Sequence, residues 1–241
     1  MPTFLWGIFM NKDVIESSFV TNESLFELKN AEELQISEAL FGYLMATQNP
    51  WLALGKPLTT FVEACVQGVS RGNRLEGSIS SKTILENEEN IVICRGAFVE
   101  AGAYICGPCF IEPGAIIRHG AYIRGSVYIG AHAIVGHTTE CKGSILLPHA
   151  KAAHFNYVGD SILGHNTNLG AGTKLANLKI DHGVISLWLD NKKMSTGLKK
   201  FGAILGNRAQ TGCNSVTNPG TIMLPEATLL PNRTALGIIK K

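Results

Sequence analysis

The densest run of side chains able to do chemistry lies at residues 151–181, KAAHFNYVGDSILGHNTNLGAGTKLANLKID. It holds His154, Tyr157, Asn168 and Asn177. An imidazole that titrates near neutrality is suited to taking a proton from an amine. Amide and phenol groups suit contacts to a polar acceptor. Gly170-Ala171-Gly172 lets the backbone approach a ligand closely, and backbone N–H groups suit a developing oxyanion. Arg124 and Lys142, eighteen residues apart, are cations of the kind that hold phosphate. An acyl transfer, in which a neutral amine attacks a thioester carbonyl, would use all of these groups. Each also has an architectural reading: a loop histidine satisfied locally, asparagines and glycines serving corners, and solvated charges.

The element that must position them is set by a period of six. Val99, Ile105, Ile111, Ile117, Ile123, Ile129, Val135, Cys141 and Leu147 recur without a miss. Four residues after each comes a second series: Ala103, Cys109, Ala115, Ala121, Val127, Ala133, Thr139, Ile145 and Lys151, all small or β-branched except the last. The register returns at Leu163, Leu169 and Leu175, and again at Leu205, Thr211, Thr217, Met223 and Leu229. Six is neither a helical period nor strand alternation. It fits a triangular coil in which each hexad supplies one short strand and one corner, and three hexads close a turn that pairs with the next as a parallel sheet. One coil then stacks Arg124 and Lys142 on one face. Such a stack needs covering at its ends. Two stretches break the period, residues 148–162 and 176–204, and loops leaving a rigid scaffold are where chemistry usually sits.

Residues 1–77 read differently and form a mostly helical N-terminal cap, with 78–241 as the β-helix domain. A helix is expected over 30–46, with Asn30 as cap and Glu33 three residues on, broken at Asn49-Pro50. A second is expected from Thr60, with Val62, Cys65, Val66 and Val69 as its apolar stripe and Gly72-Asn73 as its end. The 241 residues are 45% hydrophobic, enough for a sizeable core. A net charge of +2 without a basic run argues against nucleic acid as partner. The apolar start is short for a membrane span and lacks a basic leader, so a soluble cytoplasmic protein is expected. The six cysteines show no spaced disulfide framework.

The 151–181 segment, the coils AIIRHGAYIRGSVYIG, the segment TGLKKFGAILG and the closing QTGCNSVTNPG resemble the hexapeptide-repeat acyltransferase family. Within it, they resemble the glucosamine-1-phosphate acetyltransferase half of the bifunctional enzyme that forms UDP-N-acetylglucosamine and the related sugar-1-phosphate acetyltransferases. The resemblance covers roughly 95–230. It implies a left-handed parallel β-helix, against the usual crossover hand, and a homotrimer with active sites between subunits. It also implies acetyl-CoA as co-substrate and no metal. It makes His154 the general base, and places Arg124, Lys142, Tyr157, Asn168 and Asn177 on the acceptor. Ala171, Gly172, Cys213, Lys199 and Lys200 fall on the acetyl-CoA side. The expected activity is N-acetylation of an amino-sugar 1-phosphate for cell-envelope precursors, without uridylyl transfer, since no Gly-rich nucleotide loop is present.

One departure stands out. Relatives carry a lysine six residues beyond the position of Asn177, where this chain has Gly183. Lys179, Lys192, Lys193, Lys199 and Lys200 are alternatives, the last two within the matched segment. The acceptor therefore stays open, as does a non-catalytic trimeric scaffold. Two other motifs compete. Cys106-Gly107-Pro108-Cys109 has the form of a redox pair, but Cys109 falls in a buried small-residue slot and no βαβ context surrounds it. Hexapeptide-repeat carbonic anhydrases bind zinc through three histidines. Here His132 and His137, and His149 and His154, are five apart, while His119 and His137 are one coil apart.

Overall fold

A computed structural model describes residues 17–30 and 32–241. Three parallel walls of eight strands each enclose one apolar interior. The first wall runs from Ser78–Ile79 to Thr228–Leu229, the second from Ile84–Glu86 to Thr234–Ala235, and the third from Ile91–Ile93 to Ile238–Ile239. The fold is thus a parallel β-helix, and the interior is the one the six-residue period specifies. Val99, Ile105, Ile111, Ile117, Ile123, Ile129, Val135 and Cys141 are fully buried, as are Ala103, Cys109, Ala115, Val127, Ala133 and Thr139.

The period fails at a different place and in a different way from the expected loop at 148–162. Leu146, not Leu147, takes the interior slot after Cys141, so that step is five residues long. The next step of the same kind, Val158 to Leu163, is also five. Both shorten the corner between the second and third walls, through Lys142-Gly143-Ser144 and Gly159-Asp160-Ser161. The small slots move to Ser144 and Ala150, both fully buried, while Ile145 and Lys151 turn outward. Residues 148–162 therefore stay within the coils, forming the strands Lys151–His154 and Tyr157–Gly159. The second break is a true excursion. The chain leaves the second wall after Lys174–Leu175, makes an antiparallel hairpin of Ser186–Leu189 with Lys192–Ser195, and rejoins the third wall at Ala203–Leu205.

The helices lie elsewhere than the ends of the stack. Helix α1 (Asn22–Phe26), α2 (Glu38–Met45) and α3 (Lys56–Gln67) cover the outer face of the third wall. That face presents Tyr128, Ile145, Ile162, Ile204 and Ile222, which join Leu25, Leu40, Leu58 and Val62 and the excursion's Ile185, Leu187 and Phe201 in a second core. Apolar outward residues are the reason: a sheet with both faces apolar must be covered on both. The first and second walls keep open outer faces, with Phe98 and Tyr122 exposed. The expected helix boundaries also shift. Helix α2 starts at the Ser37 cap, whose hydroxyl accepts from the Leu40 N–H, and Glu32–Gln35 form a turn instead. The proposed Asn30 cap side chain and Ala31 lie outside the described residues. Helix α3 begins four residues before Thr60, with Pro57 in its first turn, and stops at Gly68.

Tyr128 is the centre of this cover. Its ring stacks on Phe110 at 5.2 Å and on Phe61 at 5.5 Å, and its hydroxyl meets Ser37 Oγ at 2.9 Å and the Glu112 carboxylate. A Tyr128→Ala variant is expected to lose about 3–5 kcal/mol in denaturant unfolding, the usual cost of deleting a buried aromatic. At the C-terminal end of α1, the Glu27 carboxylate accepts from Arg208 Nη1 and Nη2, each at 2.8 Å. The Arg208 guanidinium holds the Glu27 carboxyl down at about 2. A depressed carboxyl stabilises the fold above its unfolded value of 4.5, and that contribution is lost as pH falls toward 2. Glu27→Gln is therefore expected to flatten the fall of thermal midpoint between pH 4.5 and 2.

Candidate active site

The site is built at the corner between the first and second walls. The strand Lys151–His154 ends there, Phe155 turns the chain with φ 38°, and Tyr157 opens the next strand. Asn156, buried in the corner, fixes the turn. Its Oδ1 accepts from the His154 N–H at 3.1 Å, its N–H donates to Thr139 Oγ1 at 3.2 Å, and its Nδ2 donates to the Gly170 carbonyl at 2.8 Å. One residue, through its backbone N–H and its side-chain amide, thus ties three successive coils. His154 stands exposed on this corner with its carbonyl accepting from the Gly172 N–H at 3.1 Å.

The corner repeats, and so do its positions. Corner N–H groups of Phe155, Gly172 and Asn214 donate to the carbonyls of His137, His154 and Ala171 respectively. His137, His154, Ala171 and Cys213 consequently form one column, which brings three of the predicted positions together. Gly172, at φ 74°, suits this corner: a Cβ there would lie 2.5 Å from Asn214 Oδ1.

Beside the corner, an open groove of about 480 Å³ runs along the second wall. Phe155, Tyr157, Asn177, Glu140 and Lys174 are among its lining residues. Tyr157 donates to Asn177 Oδ1 at 3.2 Å, and Asn177 Nδ2 donates to the Asp160 carboxylate. Burial, then the Glu140 and Asp160 carboxylates, push the Tyr157 phenol up, which keeps it a donor. Asp160 also accepts from Lys142 Nζ at 2.9 Å, in a pair only 18% and 11% exposed. Its carbonyl receives the Gly202 N–H at 2.8 Å, while the Asn177 carbonyl receives the Phe201 N–H at 2.9 Å. Both feet of the excursion are thus fastened to the Asp160 corner, between the second and third walls. Gly143 leaves the room Asp160 needs, since a Cβ there would lie 2.7 Å from its Oδ1.

The other predicted residues fall as follows. Arg124 and Lys142 occupy adjacent coils of the second wall, as the eighteen-residue spacing requires. Each is matched by its own acid, Arg124 Nη1 lying 2.6 Å from Glu140 Oε1 and Lys142 2.9 Å from Asp160. Asn168 sits on the first wall between Lys151 and Gln210, on a different wall from the groove. Lys199 and Lys200 are exposed where the excursion returns, and Lys200 bridges to Leu178, which lines the groove. Lys179 pairs with Asp181 at 2.9 Å, and Asp181 also accepts from the Gly183 N–H at 2.9 Å. Sequence reasoning missed Asn156, Asp160, Lys174 and Glu140. The signal for Asp160 was the five-residue step that makes its corner, which the six-residue count hid.

The competing motifs separate in space. Cys106 ends a strand of the second wall and Cys109 begins one of the third, where burial pushes its thiol far up. The five-apart histidine pairs are split between two corners: His132 stacks with His149 at 5.0 Å at one, and His119 with His137 at 5.9 Å at the other. Among the described residues, no three His, Cys, Asp or Glu side chains are placed to hold a metal ion.

Three walls of six-residue steps with an excursion beside a histidine corner define a hexapeptide-repeat β-helix protein. The chain belongs to the family described as the GMPPB C-terminal domain, which matches residues 105–238. It is 34% identical over 87 residues to a bifunctional sugar-1-phosphate nucleotidylyltransferase/acetyltransferase of Sulfurisphaera tokodaii, covering 36% of this chain and 22% of that protein. It is 37% identical over 76 residues to the bifunctional protein GlmU of Methanococcus aeolicus, covering 32% and 18%. The chain thus matches about a fifth of the length of these curated relatives. Among solved structures, the acetyltransferase domain of PglB from Neisseria gonorrhoeae, in complex with acetyl coenzyme A, aligns with a TM-score of 0.33 and 13% identity, covering 63% of this chain and 56% of that one.

Asp160→Asn is expected to lower stability by about 1–3 kcal/mol, below the full cost of breaking a fully buried pair because some solvent reaches it. Protease nicking within 176–202 should rise in parallel, which limited proteolysis will read.

Proposed function

We propose that this protein transfers the acetyl group of acetyl-CoA to the amine of an amino-sugar 1-phosphate, with glucosamine 1-phosphate as acceptor, in the synthesis of UDP-N-acetylglucosamine and cell-envelope precursors. The observation that carries this reading is the shared corner column of His154, Ala171 and Cys213 beside the groove holding Tyr157 and Asn177. In this scheme the His154 imidazole takes a proton from the acceptor's 2-amino group. The amine nitrogen attacks the thioester carbonyl carbon, and backbone N–H groups near Ala171 hold the oxyanion. The C–S bond then breaks, and the leaving thiolate receives the proton from the imidazolium. Tyr157 and Asn177 orient the acceptor, and their mutual hydrogen bond pre-sets both side chains. The chemistry needs no metal.

The open faces of the first and second walls suit packing against further copies, and a homotrimer would let Asn168 and the CoA-side Lys199 and Lys200 serve a site completed by a neighbour. Small-molecule chemistry in the cytoplasm, without membrane or nucleic acid, is the matching setting. No helix among the described residues is long and apolar enough to cross a membrane. A second reading keeps acetyl-CoA and changes the acceptor. It is favoured by the acids matched to Arg124 and Lys142 and by Gly183.

A thiol-release assay with acetyl-CoA and glucosamine 1-phosphate tests the proposal. The expected result is turnover that falls about 10²–10⁴-fold in His154→Ala, with the thermal midpoint unchanged. Turnover only with another amino sugar would move the assignment to the second reading. No turnover with any amino sugar, or full activity in His154→Ala, would sink the mechanism.

A further inference from the structure

We infer that Lys174, rather than the Arg124–Lys142 pair, supplies the cation that binds the acceptor's phosphate in the groove. This rests on the acetyltransferase reading for the acceptor's identity, but not for the anion site itself.

Three observations point to it. The first is charge matching. Arg124 and Lys142 each stand against a carboxylate within 3 Å, so their charge is already answered from inside the chain, and an incoming phosphate would meet Glu140 and Asp160 as well. Among the described residues no carboxylate pairs with Lys174, so the surplus positive charge of the groove sits there.

The second is position. On the second wall's outer face, Tyr157 pairs with Glu140 on one side and with Lys174 on the other. Lys174 therefore stands one coil beyond Tyr157, three residues before Asn177, with both lining the same groove. A sugar held by Tyr157 and Asn177 would therefore lie in the same groove as this amine.

The third is aim. Lys174 Nζ donates to the Gly172 carbonyl at 2.8 Å. A neutral carbonyl directs the ammonium without cancelling its charge and leaves two of its three donors for a ligand. The Gly172 anchor belongs to the His154 corner, so the phosphate cation and the proposed base are fixed by one turn of backbone. The ligand class is a phosphate monoester on a sugar.

Titration calorimetry on the full chain, run without turnover, reads this directly. The probes are inorganic phosphate, glucosamine 1-phosphate, glucosamine and acetyl-CoA. Lys174→Gln is expected to weaken phosphate and glucosamine 1-phosphate at least about tenfold, the scale of one charge-assisted hydrogen bond, and to leave acetyl-CoA unchanged. Lys174→Arg should keep the phosphate ligands within about threefold, since charge is retained at an exposed site. Equal phosphate affinity in the wild type and Lys174→Gln overturns the inference, as does a wild type that binds no phosphate. A loss confined to acetyl-CoA also overturns it, because the phosphate served would be the coenzyme's. Phosphate binding lost in Lys174→Gln, in a wild type that acetylates no amino sugar, upholds the anion site and sinks only the proposed activity. Turnover of glucosamine 1-phosphate with an unchanged KM in Lys174→Gln does the reverse.

Discussion

Each coil of this protein must hydrogen-bond to the one before it, strand on strand, and nearly everything else follows from that constraint. A residue in one coil is fixed above its counterpart about eighteen positions earlier, at the spacing between neighbouring strands. Aliphatic residues stack on aliphatic ones inside, and corners stack on corners. A functional group at one corner is held as rigidly as the whole stack, because moving it would break main-chain hydrogen bonds on both sides. This is how an exposed histidine can sit at a fixed distance from a glycine turn in the next coil without any side-chain contact between them.

The constraint also explains where variation is tolerated. Two successive coils lose one residue each, and they lose it at the same corner. A residue lost within a strand would flip the side chains beyond it to the other face; here the whole deficit sits in the turn, and Leu146 and Leu163 keep their register with Ile129 and Leu205. That tightened corner holds Asp160, which fastens Lys142, Asn177 and the returning excursion. The local irregularity and the groove are thus one feature, as expected when a site departs from the rule of its scaffold.

The third wall shows the same logic on a larger scale. Its outward positions are Tyr128 and a run of isoleucines, which need an apolar partner, and the helices and excursion supply it from the same chain. The usual argument for oligomerisation of a β-helix, an uncovered flat wall, then applies only to the two walls that flank the His154 corner. Anything packed on those two walls would also lie beside the groove, so such packing and ligand access would be coupled by geometry.

The primary structure alone specified the parallel β-helix, its interior from Val99 to Cys141 and the stacking of Arg124 with Lys142, because side-chain period translates directly into a repeated coil. The resemblance carried by residues 151–181 marked His154, Tyr157, Asn168 and Asn177 as a group, of which Asn168 lies on a different wall from the groove. The primary structure left hidden the five-residue steps, since counting by sixes lands on the plausible neighbours Leu147 and Ile145 instead of Leu146 and Ser144. It also left hidden the side placement of the helices and the ion pairs that occupy Arg124 and Lys142. Those were decided only in three dimensions. A period records which way a residue faces, whereas the partner it meets depends on which segments the stack brings together from far along the chain.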